Sequence, residues 1–148
     1  MDELKELRAR IRVLEETEAI KQLKARYLRC VDKKLWDEWA DCFVEDATMD
    51  TPPIGKLQGK REIVKVISEA IGTIRTIHQV HSPEIEITGD TTAKGKWSLN
   101  DHTVDERSKT TSTGFGLHED EYVKETGQWK VKSSKLTRLS WERSKKED

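Results

Sequence analysis

The sequence predicts one small α+β domain, with N-terminal helices packed on a curved, mostly antiparallel sheet. Three observations predict it. Apolar residues recur at helical spacing through the first half, up to about Ile71. From Ile74 onward the period changes to two, with turn signals between the runs. The 148 residues suffice for one core, and helices followed by a strand meander is an α+β order.

In chain order, Leu4, Leu7, Ile11 and Leu14 form a heptad-like stripe on a charged helix. Four apolar positions are too few for an independent coiled coil, so residues 1–16 read as an amphipathic arm on their own or a neighbouring subunit. Thr17 is a plausible cap where the arm yields to a second helix. That helix carries Ile20, Leu23, Tyr27 and Val31 within about 60° of one another. A third, Leu35 to Phe43, turns Trp36, Trp39, Ala40 and Phe43 to one side. A strand Ala47–Thr51 follows, then a Pro52-Pro53 break and an extended piece at Ile54–Leu57. Gly59 precedes a fourth helix, Lys60 to about Ile71, with Ile63, Val66, Ile67 and Ala70 on one face.

Ile85 and Ile87 then alternate with Glu84 and Glu86, and Gly89-Asp90 makes a turn. The next strand sets Lys94, Lys96, Ser98 and Asn100 against Trp97, Leu99 and Asp101. A polar loop from about Asp105 to Thr113 leads to a strand from Phe115 to about Lys124. Gly127 turns the chain into a last strand, Trp129 to about Trp141. The domain is therefore expected over residues 17–141, with 142–148 a disordered charged tail.

Composition excludes several functions. Lys+Arg 27 against Asp+Glu 28 leaves no basic excess for nucleic acid. The sequence holds no run long enough to span a bilayer, and its charged start is no signal peptide, so the expected location is the cytoplasm. Cys30 and Cys42 lack metal-ligand spacing and read as core thiols. There is no phosphate-cradling glycine loop and no nucleophile elbow. What remains is acid–base chemistry or plain binding.

A few polar residues break the structural pattern. Parity turns Asp101 inward with Trp97 and Leu99, where a carboxylate needs a partner, unless the strand leaves the core at that point. Asp32 ends its helix at the negative end of the dipole and lies off the Tyr27 stripe, so the residues alone favour a solvated carboxylate. His78 and His81 precede the Ile85/Ile87 strand. Either can exchange protons near neutral pH or be merely structural, and His-x-x-His alone does not make a metal site. Tyr27 belongs to the core stripe, and its hydroxyl needs a partner. Arg138 shares the inward parity of Leu136. His102 falls on the polar face, whereas both faces of the strand holding His118 are mixed, so parity does not place it.

Taken together, EAIKQLKARYLRCVDKKLWDEWADCFVEDA, IHQVHSPEIEI, GKWSLND and DEYVKETGQWKVKSSKLTRL resemble the SnoaL-like branch of the nuclear transport factor 2-like superfamily. Within it the segments look most similar to bile acid 7α-dehydratases. They look more distantly similar to the hexachlorocyclohexane dehydrochlorinase and scytalone dehydratase group. The resemblance implies a cone-shaped α+β barrel, a cofactor-free lyase and a homo-oligomer, with a trimer favoured. It implies Tyr27, Asp32, His78 and Asp101 as the catalytic set, with Asp32 and His78 as a dyad. His81 and Arg138 are the expected substrate-binding residues, and no metal is expected. The segments Thr51–Gly59 and Asp105–Thr113 depart from the bile acid enzymes, which leaves the substrate open. The expected activity is dehydration of a polycyclic, steroid-like or aromatic hydroxylated molecule. An isomerase or cyclase, or a non-catalytic small-molecule binder, is the alternative.

Overall fold

The computed structural model describes residues 1–147. Its elements are α1 (Asp2–Asp32), α2 (Trp36–Ala40), β1 (Phe43–Thr51), β2 (Gly55–Gln58), α3 (Lys60–Ile71), β3 (Arg75–Ile87), β4 (Thr92–Asp105), β5 (Thr110–Glu125) and β6 (Gln128–Lys145). The six strands form one sheet in the order β2-β1-β6-β5-β4-β3. Every pairing is antiparallel except β1 with β6, which is parallel. The helices pack on one face of the sheet, as the α+β reading requires. Among the described residues no helix is long and apolar enough to cross a membrane.

Alternation along the strands builds the inner face. On β4, Ala93, Gly95, Trp97, Leu99 and Asp101 are buried, while Lys94 and Lys96 are exposed and Ser98 and Asn100 half-buried. The α1 stripe Ile20, Leu23, Tyr27 and Val31 seals this face, and Ile63 and Ile67 of α3 join the same core. Edge-on contacts bind Tyr27, Trp39 and Phe43, with ring centroids 4.9–5.5 Å apart. Such pairs each add about 0.5–1.5 kcal/mol beyond the area they bury. Cys30 and Cys42 are buried free thiols, as expected.

Four local expectations are corrected. Thr17 caps nothing: α1 runs through it unbroken, and its hydroxyl donates to the Val13 carbonyl one turn back, at 2.7 Å. The third helix is only one turn, because Phe43 pairs with Val131 and so begins β1. The supposed loop 105–113 shrinks to four residues, because Asp105 pairs with Thr110. The supposed tail is strand as far as Lys145, laddered to β5 from Thr113 back to Thr110. Extending β4, β5 and β6 together satisfies backbone groups that polar side chains concealed in the sequence.

The arm is the exposed half of α1. Leu4, Leu7, Ile11 and Leu14 are 45–69% exposed, so they do not lie on the body of their own subunit. The helix is tied down from Arg12 onward. Arg12 pairs with Asp90 at 2.8 Å in the β3–β4 turn, and Glu16 accepts from Lys124 at 2.6 Å and from the Trp129 indole.

Candidate active site

The end of α1, α3 and the inner sheet face enclose a cavity of about 480 Å³. Leu28, Val31, Met49, Ile54, Ile67, Ile71, Ile74, Leu99 and Leu136 give it an apolar lining. Into that lining project Tyr27, Thr76, His78, Asp101, His118 and Arg138. An apolar chamber with a few convergent polar groups is the usual form of a small-molecule site. A larger cleft of about 780 Å³ lies along Glu84, Glu86, Lys94, Lys96, Glu119 and Lys135. Its mixed charges offer no comparable apolar chamber.

Asp32 is not free in solvent. It closes α1 directly against the start of β3, where its Oδ1 lies 2.7 Å from His78 Nδ1. Its Oδ2 accepts the His78 backbone N–H at 2.9 Å, and Thr76 Oγ1 donates to Oδ1 at 3.0 Å. Lys34 in turn donates to Thr76 at 2.9 Å. Burial would raise the Asp32 pKa, but these hydrogen bonds and the charge of His78 outweigh it and hold the carboxyl below its ordinary value. An ionised carboxylate only accepts, so in the neutral imidazole the proton sits on Nδ1 and Nε2 keeps its lone pair.

Asp101 is buried inward, as parity predicted, and the partner it required is Arg138. Arg138 Nη2 donates to Oδ2 at 3.1 Å and Nη1 donates to Oδ1. Asp101 stands directly across the β3–β4 ladder from His78, but its oxygens face the guanidinium rather than the imidazole. The pair fits because Gly114 is its β5 neighbour. A Cβ there would stand 2.6 Å from Asp101 Oδ1 and collide with the guanidinium.

Tyr27 lines the cavity at the floor. Burial, then the nearby charge of Asp120, pushes its hydroxyl well above the usual phenol range, so it stays protonated. His81 does not join the group, which corrects its expected substrate-binding role. From His78 to His81 the β3–β4 ladder is unbroken, so alternation turns His81 to the face opposite His78, where it is exposed beside Ser82, outside the cavity. His102 lies on the outer face, where it bonds Thr113 at 3.0 Å.

A second polar cluster beneath the cavity escaped the sequence reading. Lys24 of α1 is almost wholly buried, with its Nζ 2.6 Å from Asp120 Oδ2 and 2.9 Å from His118 Nδ1. Ser134 and Tyr122 also donate to Asp120, each at 2.7 Å, and the Trp97 indole donates to Tyr122 at 3.0 Å. Burial would raise the Asp120 pKa, but the Lys24 ammonium and the donors around it hold the carboxyl below its ordinary value. The signal was present: Lys24 interrupts the apolar stripe between Ile20 and Tyr27, and His118, Asp120 and Tyr122 share one parity of β5. Among the described residues no three His, Cys, Asp or Glu side chains gather as metal ligands.

The SnoaL-like domain profile matches residues 12–135, so the chain belongs to the SnoaL-like family. Solved structures agree on the fold. A candidate scytalone dehydratase from Novosphingobium aromaticivorans shares 26% identity, with a TM-score of 0.81 over 87% of each chain. A type 2 hexachlorocyclohexane dehydrochlorinase (LinA) has a TM-score of 0.81 at 18% identity, over 88% of this chain and 90% of its own. A protein described as an aromatic ring hydroxylase, also from Novosphingobium aromaticivorans, has a TM-score of 0.81 at 20% identity, over 88% and 94%. These relatives are described with different activities on one scaffold, so the activity of this chain must be argued from its own cavity.

Proposed function

From its membership of the SnoaL-like family, we propose that the protein is a cofactor-independent acid–base lyase. It dehydrates a hydroxylated polycyclic, steroid-like or aromatic small molecule. The observation that carries this reading is the Asp32–His78 dyad at the wall of an apolar cavity, with His78 Nδ1 2.7 Å from the carboxylate. The steroid-like class rests on the resemblance to bile acid dehydratases and on a cavity of about 480 Å³, within the range that holds ligands of that size.

The chemistry follows from the geometry. His78 Nε2 takes a proton from carbon beside a carbonyl or unsaturated group. The C–H electron pair becomes the new C=C bond, the C–O bond breaks, and the hydroxyl leaves as water, taking the proton that the His78 imidazolium gives back. Asp32 fixes the ring and stabilises the imidazolium that forms. Tyr27 is a protonated donor within the same chamber and can assist the departing oxygen. Asp101 orients Arg138, whose remaining N–H groups can hold that oxygen. General acid–base assistance contributes about 10²–10⁴-fold per group.

The exposed apolar stripe of α1, with Phe115 and Leu117 exposed on the outer sheet face, supports assembly as a homo-oligomer. A trimer in the cytoplasm is the form we propose, to be checked by light scattering of the purified protein.

Native mass spectrometry of protein from its own host, followed by incubation of the retained ligand with fresh enzyme, tests the activity. Wild type is expected to remove the mass of one water, and His78→Ala to lose about 10²–10⁴-fold in rate. His78→Ala turnover within a few-fold of wild type overturns the mechanism. Turnover at unchanged ligand mass makes the enzyme an isomerase instead.

A further inference from the structure

His118 lines the cavity but has no part in the elimination above. Its Nδ1 lies 2.9 Å from Lys24 Nζ, and both side chains are buried. A lysine ammonium has three protons and no lone pair, so in this contact Nδ1 accepts. A neutral imidazole that accepts at Nδ1 carries its proton on Nε2. No protein group takes that proton among the described residues, and Nε2 is not one of the sealed, unpartnered atoms of the interior. It therefore opens on the cavity.

The charges of the chamber are already matched. Arg138 is paired by Asp101 and Lys24 by Asp120. A ligand carboxylate entering would meet no unpaired cation among the described residues that line the cavity, and would lose its water. An uncharged carbonyl oxygen needs only one good donor.

We propose that His118 is a fixed, neutral hydrogen-bond donor whose Nε2–H takes the oxygen of an uncharged ketone or enone substrate. This deepens the proposed lyase reading: the carbonyl that acidifies the carbon-bound proton sits on His118, while His78 removes the proton. As charge builds on that oxygen in the transition state, a preorganised donor in a largely apolar cavity gains strength without reorganising. Burial, then the Lys24 charge, lowers the His118 pKa to about 3. Asp120 on its own strand opposes this, while His78 on β3 and Arg138 on β6 add to it. The ring is thus imidazole rather than imidazolium at any ordinary pH.

Two measurements that need no turnover test this, so the His78 elimination stands or falls separately. In nitrogen-15 NMR of the full-length protein, His118 should show protonated Nε2 and bare Nδ1, unchanged between about pH 5 and 8. A protonated Nδ1, or titration in that window, overturns the proposal. The second measurement is binding of α-tetralone, tetralin and the naphthoate anion. Wild type should prefer the ketone to the anion and lower its carbonyl stretching frequency. His118→Phe should lose about ten-fold in tetralone affinity, with tetralin unchanged within about two-fold. His118→Gln, which keeps an N–H donor, should recover part of that loss. Equal losses for tetralone and tetralin, tighter naphthoate binding, or no tetralone binding by wild type overturns it.

Discussion

His78 and His118 face one cavity, and each holds its Nδ1 within 3 Å of a charged partner: 2.7 Å from Asp32 and 2.9 Å from Lys24. The partners differ in sign, and that difference divides the labour. A carboxylate accepts, so His78 keeps a free lone pair on Nε2 and is suited to take a proton. An ammonium donates, so His118 is left with Nε2–H and is suited to give a hydrogen bond. The same side chain becomes base or donor according to its neighbour. Both neighbours come from α1, eight residues apart and about 12 Å along its axis, so one helix sets both tautomers.

The comparison is broken most severely on the base side. Asp32→Asn should keep the fold but unsettle the His78 tautomer, lowering the rate of water loss by about 10²–10⁴-fold. Turnover within three-fold of wild type, measured with the retained ligand, would remove the dyad from the mechanism.

On the donor side the larger effect is on stability. Lys24→Met leaves the Asp120 carboxylate buried without its cation, and urea unfolding should show a loss of about 3–5 kcal/mol. Adding Asp120→Asn should recover much of it, because the unpaired charge goes too. A single variant as stable as wild type would mean that the cluster is not closed as described.

The smallest effect is the most specific. His118 titrates at about 6.5 when unfolded and near 3 when folded, so below pH 6.5 the unfolded chain binds the extra proton. Stability then falls as pH falls, by at most about 1.4 kcal/mol per pH unit. His118→Gln should flatten that slope between about pH 6.5 and 4. Asp32 and Asp120, whose folded pKa values are lowered, add their own loss only at more acidic pH. An unchanged slope in the variant would show that His118 is not held neutral by the fold.

Much of this was visible before the structure. The position of α3 and the inward turn of Asp101 and Arg138 follow from period and parity alone. Asp32 was harder: on an ideal helical wheel it points away from the core stripe, and only the start of β3 brings His78 and Thr76 to it. The His118 cluster was hidden because its strand alternates polar with polar, so burial and exposure cannot be told apart by composition. Lys24 interrupts the apolar stripe of α1, but its partner Asp120 lies 96 positions away on β5.

By itself the sequence determined the order of elements, the change from helical to strand period and the face on which Trp97, Leu99 and Asp101 lie. Those depend on local sterics and on the repeat of the backbone. Only the tertiary structure decided which strands lengthen into the apparent loop and tail, that His81 stands outside while His118 stands inside, and which nitrogen of each imidazole carries its proton. These outcomes depend on partners distant in the chain, Asp32 and His78 being 46 positions apart and Lys24 and His118 94, and no local pattern encodes such a meeting.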